Sequence, residues 1–257
     1  MTSTLEQYDF HNKNWCEIAD YLARGVVLLL PIGSTEAHGP HLPLATDFII
    51  SLEMARRAAH KLTELGRPAL VLPTLAYSIT DFSVDFPGSI SIRRETATAV
   101  ISDILSSLIR QGFHYLCIAN SHLEPAHIES IEAARVAAES ETGVKICFPD
   151  KRRRRWAERL TAEFRSGACH AGAYESSLVM AARPELVNES LREQLPAVNI
   201  SLSQAIKAGI ESFKAAGGEQ AYFGAPAEAS CEEGEASYQA LAQMLIDAIF
   251  ETYPELQ

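Results

Sequence analysis

The sequence predicts an α/β protein with three layers, α/β/α, around a mostly parallel central sheet. Short apolar runs alternate along the chain with longer segments in which apolar residues recur every three to four positions. The short runs are typical of strands that are buried on both faces, and the longer segments are typical of helices. Strands that alternate with helices favour a parallel sheet that helices cover on both sides.

The predicted strands are apolar and partly β-branched. The first covers residues 26–32 and ends at Gly33, and the others cover residues 69–72, 114–119 and 144–148. Ligands of such sheets bind at the carboxyl ends of the strands. The loops that follow the strands are therefore the first places to search for a site.

The predicted helices lie between these strands. Helical spacing of apolar residues covers 48–65, 95–111 and 125–139, and Gly66 and Gly112 end the first two patterns. Pro125 is suited to a first helical turn. A last helix is marked by an apolar stripe of Tyr238, Leu241, Leu245 and Ile249.

The composition indicates one folded domain over residues 1–257, since 47% of the residues are hydrophobic. The net charge of -11 comes from 22 basic and 33 acidic residues, and such a surface argues against nucleic acid as a partner. The longest apolar run is too short to cross a membrane. The N-terminal residues show neither a basic head nor an apolar signal core, so we expect a cytoplasmic protein.

Two polar loops carry the candidate chemistry. The first, residues 33–47, holds Glu36, His38 and Asp47 directly after a predicted strand, and the second holds His122 and Glu124 after another strand. Two imidazoles and three carboxylates form a mixed nitrogen and oxygen set that suits Zn, Mn or Fe. Such a set is too rich in nitrogen for Ca or Mg.

The number of ligands predicts two divalent ions. One ion needs about three protein ligands plus water, so five ligands serve two ions if one carboxylate bridges them. Asp47 is the most separated acid of its loop and is our choice for the bridge. Surface turns and helix caps use the same residue types, but five of them on two strand-end loops favour a metal site.

The motifs of the chain resemble those of the creatininase family, a group of creatinine amidohydrolases and formamide hydrolases. The loop GSTEAHGPHLPLATD at residues 33–47 carries the resemblance most specifically. Residues 86–91 (FPGSIS), 120–122 (NSH), 170–177 (HAGAYESS), 184–187 (PELV) and 224–230 (GAPAEAS) are similar to later family motifs in the same order.

The resemblance implies a fold, an activity and a division of the ligands. Glu36, Asp47 and His122 would hold one metal, and His38, Asp47 and Glu124 the other. The implied reaction is hydrolysis of a non-peptide carbon–nitrogen bond in a cyclic or linear amide. A water shared by the two cations loses its proton and attacks, and His170 passes a proton to the departing nitrogen. The family also implies a homo-oligomer, commonly a hexamer.

The sequence departs from the family pattern at two places. Cys169 stands where relatives commonly have an acid, so either Glu175 takes over that catalytic role or the reaction differs. Ser83 and Asp85 lie where many relatives have a histidine, in a loop predicted to contact the substrate. His41 and Cys169 are predicted to orient neighbouring groups rather than bind metal.

The basic run at residues 151–155 precedes Trp156, which the resemblance implies as a substrate contact. The run is either a solvated face or subunit contact, or else a lid or a site for an anionic substrate. The alternative reactions are deformylation of a formamide and hydrolysis of a modified peptide. From another class, the chain could be a metal-stabilised scaffold or binding protein without turnover.

Overall fold

The structure is a computed structural model, which describes residues 5–168 and 170–257. Its central sheet consists of three parallel strands in the order β2-β1-β3. Residue Val27 of β1 is aligned with Ala69 of β2 and with Tyr115 of β3. The strand bounds are β1 Val27–Ile32, β2 Ala69–Val71 and β3 Tyr115–Asn120.

Within the described residues, five long helices pack around the sheet, and shorter helices precede β1 or lie between the long ones. The long helices are α2 Thr46–Glu64, α3 Arg94–Arg110, α4 Pro125–Thr142, α7 Ala173–Ala182 and α10 Cys231–Thr252. The shorter ones are α1 Trp15–Ala23, α5 Arg154–Ala157, α6 Ala162–Ser166, α8 Glu189–Arg192 and α9 Leu202–Lys207. None of these helices is both long and apolar enough to cross a bilayer.

The alternation of side chains along β1 creates two hydrophobic cores. Val27 and Leu29 belong to the core on one side of the sheet, with α2, α7 and α10. Leu28 and Leu30 belong to the core on the other side, with α3 and α4. Successive residues of a strand point to opposite faces, so the predicted three-layer α/β/α architecture is confirmed. The single domain over residues 1–257 stays a prediction, which the shared sheet supports.

Four of the predicted helices and three of the predicted strands are present within a few residues of their expected bounds. The exception is the segment 144–148, which contributes a single bridge between Cys147 and Cys117 of β3. The Tyr253 hydroxyl donates to the carbonyl of Lys145 at 2.7 Å. Tyr253, at the end of α10, therefore binds the Lys145 carbonyl, which could accept a hydrogen bond from β3 if this segment formed a longer strand.

Candidate metal centre

The two polar loops meet at the carboxyl ends of β1 and β3, as predicted from the parallel sheet. Glu36 and His38 lie in the loop after β1, and Asp47 lies in the first turn of α2. His122 lies two residues after the end of β3. Gly33 allows this approach, because a Cβ at residue 33 would lie 2.5 Å from the backbone nitrogen of Phe48. A glycine is therefore needed where β1 passes the start of α2.

Glu36, Asp47 and His122 form one candidate metal site. The Nδ1 atom of His122 lies 3.0 Å from Oδ2 of Asp47 and 3.5 Å from Oε1 of Glu36. All three side chains are buried. This is the first ligand set that the resemblance implies.

His38, Asp47 and Glu175 form a second candidate site beside the first. The Nε2 atom of His38 lies 3.9 Å from Oδ1 of Asp47 and 3.5 Å from Oε2 of Glu175. Asp47 faces the two sites with different oxygens, since Oδ2 is directed to His122 and Oδ1 to His38. This geometry supports Asp47 as the bridging carboxylate.

Backbone carbonyls hold three imidazoles so that one ring nitrogen of each faces the centre. His38 Nδ1 lies 3.1 Å from the carbonyl oxygen of Glu36. His122 Nε2 lies 2.8 Å from that of Ile79, and His170 Nε2 lies 3.0 Å from that of Ala37. In neutral rings these nitrogens donate, so the opposite nitrogens present lone pairs to the carboxylates. Ligand histidines in metal proteins are oriented in this way.

The spacing of the donor atoms fits metal ions. Donors at about 2.1 Å from an ion in a tetrahedron lie about 3.4 Å apart. The pairs around His38 and His122 are separated by 3.0 to 3.9 Å. The Nε2 atom of His38 is buried and has no hydrogen-bond partner in the described chain. A buried nitrogen without a partner is costly, and a cation at this position would satisfy it.

The centre is strongly polarised in the protein alone. Burial by itself would raise the pKa of Glu36, but His122, His170 and His38 lower it to about 2. Burial by itself would lower the pKa of His122, but the Glu36 and Asp47 carboxylates raise it well above its ordinary value. The carboxylates thus attract positive charge, which protons or metal ions can supply.

His170 stands at the edge of this centre and faces a cavity of about 500 Å³. Its Nδ1 lies 3.6 Å from Oε1 of Glu36, and its ring packs against Phe213 with the ring centroids 4.2 Å apart. Burial, together with the charge of His38, lowers the pKa of His170 to about 4. A neutral imidazole with its lone pair turned inward can accept a proton or bind a cation.

Glu124, predicted to be a ligand, lies outside the two candidate sets described above. It lines the cavity, but its carboxylate oxygens accept hydrogen bonds from the backbone N–H groups of Asp81 and Phe82, at 3.0 and 3.3 Å. It joins none of the candidate ligand groups in the described chain, and Glu175 takes the place beside His38 and Asp47. The backbone amides of Asp81 and Phe82 hold the Glu124 carboxylate in this position, and its role as a ligand stays a prediction.

The predicted substrate residues are scattered. Ser83 is buried behind the centre, where its hydroxyl is 3.5 Å from Oε2 of Glu36. Asp85 is exposed and does not line the cavity. Trp156 is only 3% exposed, packs in the core and lies under the guanidinium groups of Arg155 and Arg159. Neither Asp85 nor Trp156 lines the cavity, and their role in substrate binding stays a prediction.

The residues predicted to orient their neighbours can be placed only in part. His41 Nε2 lies 2.8 Å from the hydroxyl of Ser176, which is next to Glu175 in α7. This contact is consistent with a role in placing α7 and leaves that role a prediction. Cys169 lies outside the described residues.

Two hydroxyl groups at the centre are absent from the sequence-based predictions. Ser34 donates to Oδ2 of Asp47 at 2.6 Å, and Thr80 donates to Oε2 of Glu36. Ser34 lies inside the 33–47 motif, so the sequence could have indicated it as part of the centre. Thr80 lies outside the motifs of the sequence, and its contact with Glu36 becomes visible only in the folded chain.

The comparison with known families agrees with this centre. A sequence model of the creatininase family, described as creatinine amidohydrolase, matches residues 11–249. The chain belongs to the creatininase family. The resemblance carried by the motifs is therefore confirmed, and with it the prediction of a metal-binding amidohydrolase that acts on carbon–nitrogen bonds.

Similar proteins cover most of the chain. The creatinine amidohydrolase of Pseudomonas putida is 26% identical over 251 residues, which are 93% of this chain and 95% of that protein. The mycofactocin precursor peptide peptidase of Mycobacterium ulcerans is 32% identical over 177 residues, which are 67% of this chain and 63% of that protein.

Solved structures share the fold. A mutant creatininase complexed with creatine has a TM-score of 0.76 and 23% identity, with 96% of this chain and 99% of that chain covered. A manganese creatininase and a mutant of Zn-Zn type have TM-scores of 0.75 and 0.74, each with 23% identity and 96% of this chain covered, and 99% and 98% of their own chains.

Proposed function

We propose that the chain hydrolyses the carbon–nitrogen bond of a small cyclic or linear amide at a centre that holds two divalent cations. The observation that carries this proposal is the position of Asp47, whose two carboxylate oxygens face His122 and His38 separately. Glu36 completes the first set of ligands and Glu175 the second.

Glu36, Asp47 and His122 would hold one cation and His38, Asp47 and Glu175 the other. Divalent cations held there would supply the acidity that ionises water and the charge that polarises an amide carbonyl. His170 is the side chain best placed to move a proton, because its Nδ1 faces the centre and its Nε2 is fixed on the Ala37 carbonyl. We assign it the transfer of a proton to the departing nitrogen. Phe213 packs on the ring and keeps it facing the cavity.

The exchanged roles of two acids belong to the same proposal. Glu175, expected to be catalytic, lies against His38 and is assigned as a ligand. Glu124, expected to be a ligand, stays on the cavity wall with two backbone donors. Burial raises the pKa of Glu124 above its ordinary value, although His122 opposes this effect.

The remaining assignments rest on the relatives and on the sequence. A manganese creatininase and a Zn-Zn form support Zn or Mn, and the mixed donors also suit Fe. A homo-oligomer, in particular a hexamer, and a cytoplasmic location stay predictions. A modified peptide is the second candidate substrate, because one relative is named as a precursor peptide peptidase.

The test compares Asp47→Asn with a matched exposed change, Asp103→Asn on α3. We expect two ions per chain in the wild type and in Asp103→Asn, and fewer than one in Asp47→Asn, by plasma mass spectrometry. Ring opening of a cyclic amide, formate release from a formamide and cleavage of a peptide are then followed on the loaded proteins. One ion per wild-type chain after full loading would refute the two-metal centre. Two ions without turnover of any amide would favour the binding protein.

A further inference from the structure

The cavity above the metal centre has an unusual distribution of charge. Five carboxylates and four cationic side chains line it, in a protein whose net charge is -11. Two divalent ions at the proposed centre would add four positive charges and leave an excess of three. The cationic side chains are Arg152, Arg153, Arg165 and Lys207.

The basic run of the sequence is divided by the fold. Arg154 pairs with Glu158 at 2.7 Å and Arg155 pairs with Glu251, both away from the cavity lining. Arg152 lines the cavity, but Asp150 holds its guanidinium group at 3.0 Å. Most of the run is therefore neutralised by acids of the protein itself.

Arg153 lies 3.9 Å from the Glu132 carboxylate, so Arg165 and Lys207 are the cavity cations of the described chain without an acidic partner. Arg165 donates through Nη1 to the carbonyl oxygens of Leu160 and Glu158, at 3.0 and 3.4 Å. Carbonyl groups do not neutralise a guanidinium charge. Across residues 5–168 and 170–257, neither Arg165 nor Lys207 forms an ion pair with an acid. Both side chains are exposed.

Two hydrogen bonds hold the segments that carry these cations together. The Ser201 hydroxyl donates to the carbonyl of Ser166 at 2.8 Å, and the Ser203 amide donates to that of Gly167 at 3.3 Å. Arg165 lies in α6 and Lys207 ends α9, so the cavity receives both from one connected wall. Apolar side chains of Phe164, Leu202 and Ile206 line the same wall.

We propose that this wall binds an anionic oxygen group of the substrate, a carboxylate or a phosphate, through Arg165 and Lys207. The inference rests on the proposed amide hydrolysis and narrows its substrate class to amides with an acidic group beyond the scissile bond. Cationic side chains without acidic partners bind carboxylate and phosphate oxygens through charge-assisted hydrogen bonds. The apolar side chains would hold the chain that connects the acidic group to the amide.

The test uses hydroxamates, which bind divalent cations and need no turnover. Each hydroxamate of the series has two to four methylene groups between the hydroxamate and its other end. That end is a carboxylate, a phosphonate or a neutral carboxamide. Dissociation constants are measured by calorimetry on the metal-loaded protein. We expect the hydroxamate that ends in the preferred acidic group to bind about tenfold more tightly than the hydroxamate of the same length that ends in a carboxamide. The preferred acid tells whether the natural group is a carboxylate or a phosphate.

The variants Lys207→Gln and Arg165→Gln, singly and together, should remove the preference and leave binding of the carboxamide unchanged. Arg154→Gln is the matched control, because Arg154 belongs to the basic run but not to the cavity, and it should keep the preference. Arg165 also donates to two backbone carbonyls, so Arg165→Gln could affect folding. Arg165→Lys is the variant that keeps the positive charge. If Arg165→Gln does not fold, Lys207→Gln alone is sufficient for the test.

Two results would overturn the inference, and they are distinguishable. If hydroxamates bind but charged and neutral ends bind equally at every length, the acidic substrate is refuted and the metal centre stands. If no hydroxamate binds to metal-loaded protein, the proposed function fails and this inference fails with it.

Discussion

Each imidazole of the centre is fixed by a backbone carbonyl rather than by another side chain. The carbonyls of Glu36, Ile79 and Ala37 leave each ring one inward nitrogen. A backbone acceptor moves little, so the rings lose little freedom when a cation binds. The carboxylates of Asp47 and Glu36, in contrast, accept hydrogen bonds from the hydroxyl groups of Ser34 and Thr80, and we expect them to be the more sensitive part of the centre.

Ser34 provides the most direct test of this dependence. Its hydroxyl donates to Oδ2 of Asp47 at 2.6 Å, which fixes the proposed bridge. We expect Ser34→Ala to weaken metal binding about tenfold, since groups that orient ligands usually contribute that much. Competition with a fluorescent chelator measures the change.

The control for Ser34→Ala is Ser51→Ala. Ser51 is also buried, lies in the same helix as Asp47 and donates to the carbonyl of Phe48. It should keep the wild-type affinity. Equal loss in the two variants would mean that general destabilisation, and not the orientation of Asp47, explains the effect.

The different contacts of the Glu124 and Glu175 carboxylates give a second prediction. Glu175→Gln should retain one ion per chain, because the set around His38 loses an anionic ligand. Glu124→Gln should retain both ions, because its carboxylate is engaged with the amides of Asp81 and Phe82. Plasma mass spectrometry of the loaded variants measures the content. The opposite result would restore the ligand set that the family resemblance implies.

At the level of elements, apolar patterns were sufficient for three strands and for four helices, but they did not indicate α1 and they predicted a strand at residues 144–148 that forms only one bridge. They also failed for α7, which is buried almost all round and shows no polar stripe. Tyr174, Leu178 and Val179 of this helix pack in the core with α2 and α10. The helix that supplies Glu175 was therefore visible only as a motif, and the distance of Glu175 from His38 could not follow from spacing.

The crossing of β1 and α2 depends on Gly33. A Cβ at this position would meet backbone atoms of Asp47 and Phe48 at 2.5 to 2.8 Å, and backbone cannot rotate aside. We expect Gly33→Ala to lower the free energy of unfolding by about 3 kcal/mol, as overpacking does at rigid sites. Urea denaturation measures the loss.

Gly209→Ala is the comparison for this variant. Gly209 has φ +84 and open space around its Cα, so only the left-handed conformation opposes a side chain. That cost is about 1 kcal/mol. If both variants lose the same amount, contact with the start of α2 is not what requires glycine at residue 33.

In the whole molecule, the parallel sheet made the meeting of the two loops predictable. Glu36, His38, Asp47 and His122 were all expected at one edge, and all four lie there. The sequence could not show that the backbone amides of Asp81 and Phe82 hold the Glu124 carboxylate, or that Glu175 lies beside His38. Nor could it find Thr80, which comes to Glu36 from 44 positions away.

The same packing couples metal binding to stability. The ligands come from the ends of two strands and the starts of α2 and α7, so a bound cation joins segments that unfolding separates. At a thousandfold excess of metal over its dissociation constant, binding stabilises the folded state by about 4 kcal/mol. For a chain of this size the melting temperature should rise by about 10 °C with Zn or Mn. Mg and Ca should have little effect, because the donor set is rich in nitrogen. Asp47→Asn should remove the rise, and an equal rise in that variant would place the stabilising ion elsewhere on the protein.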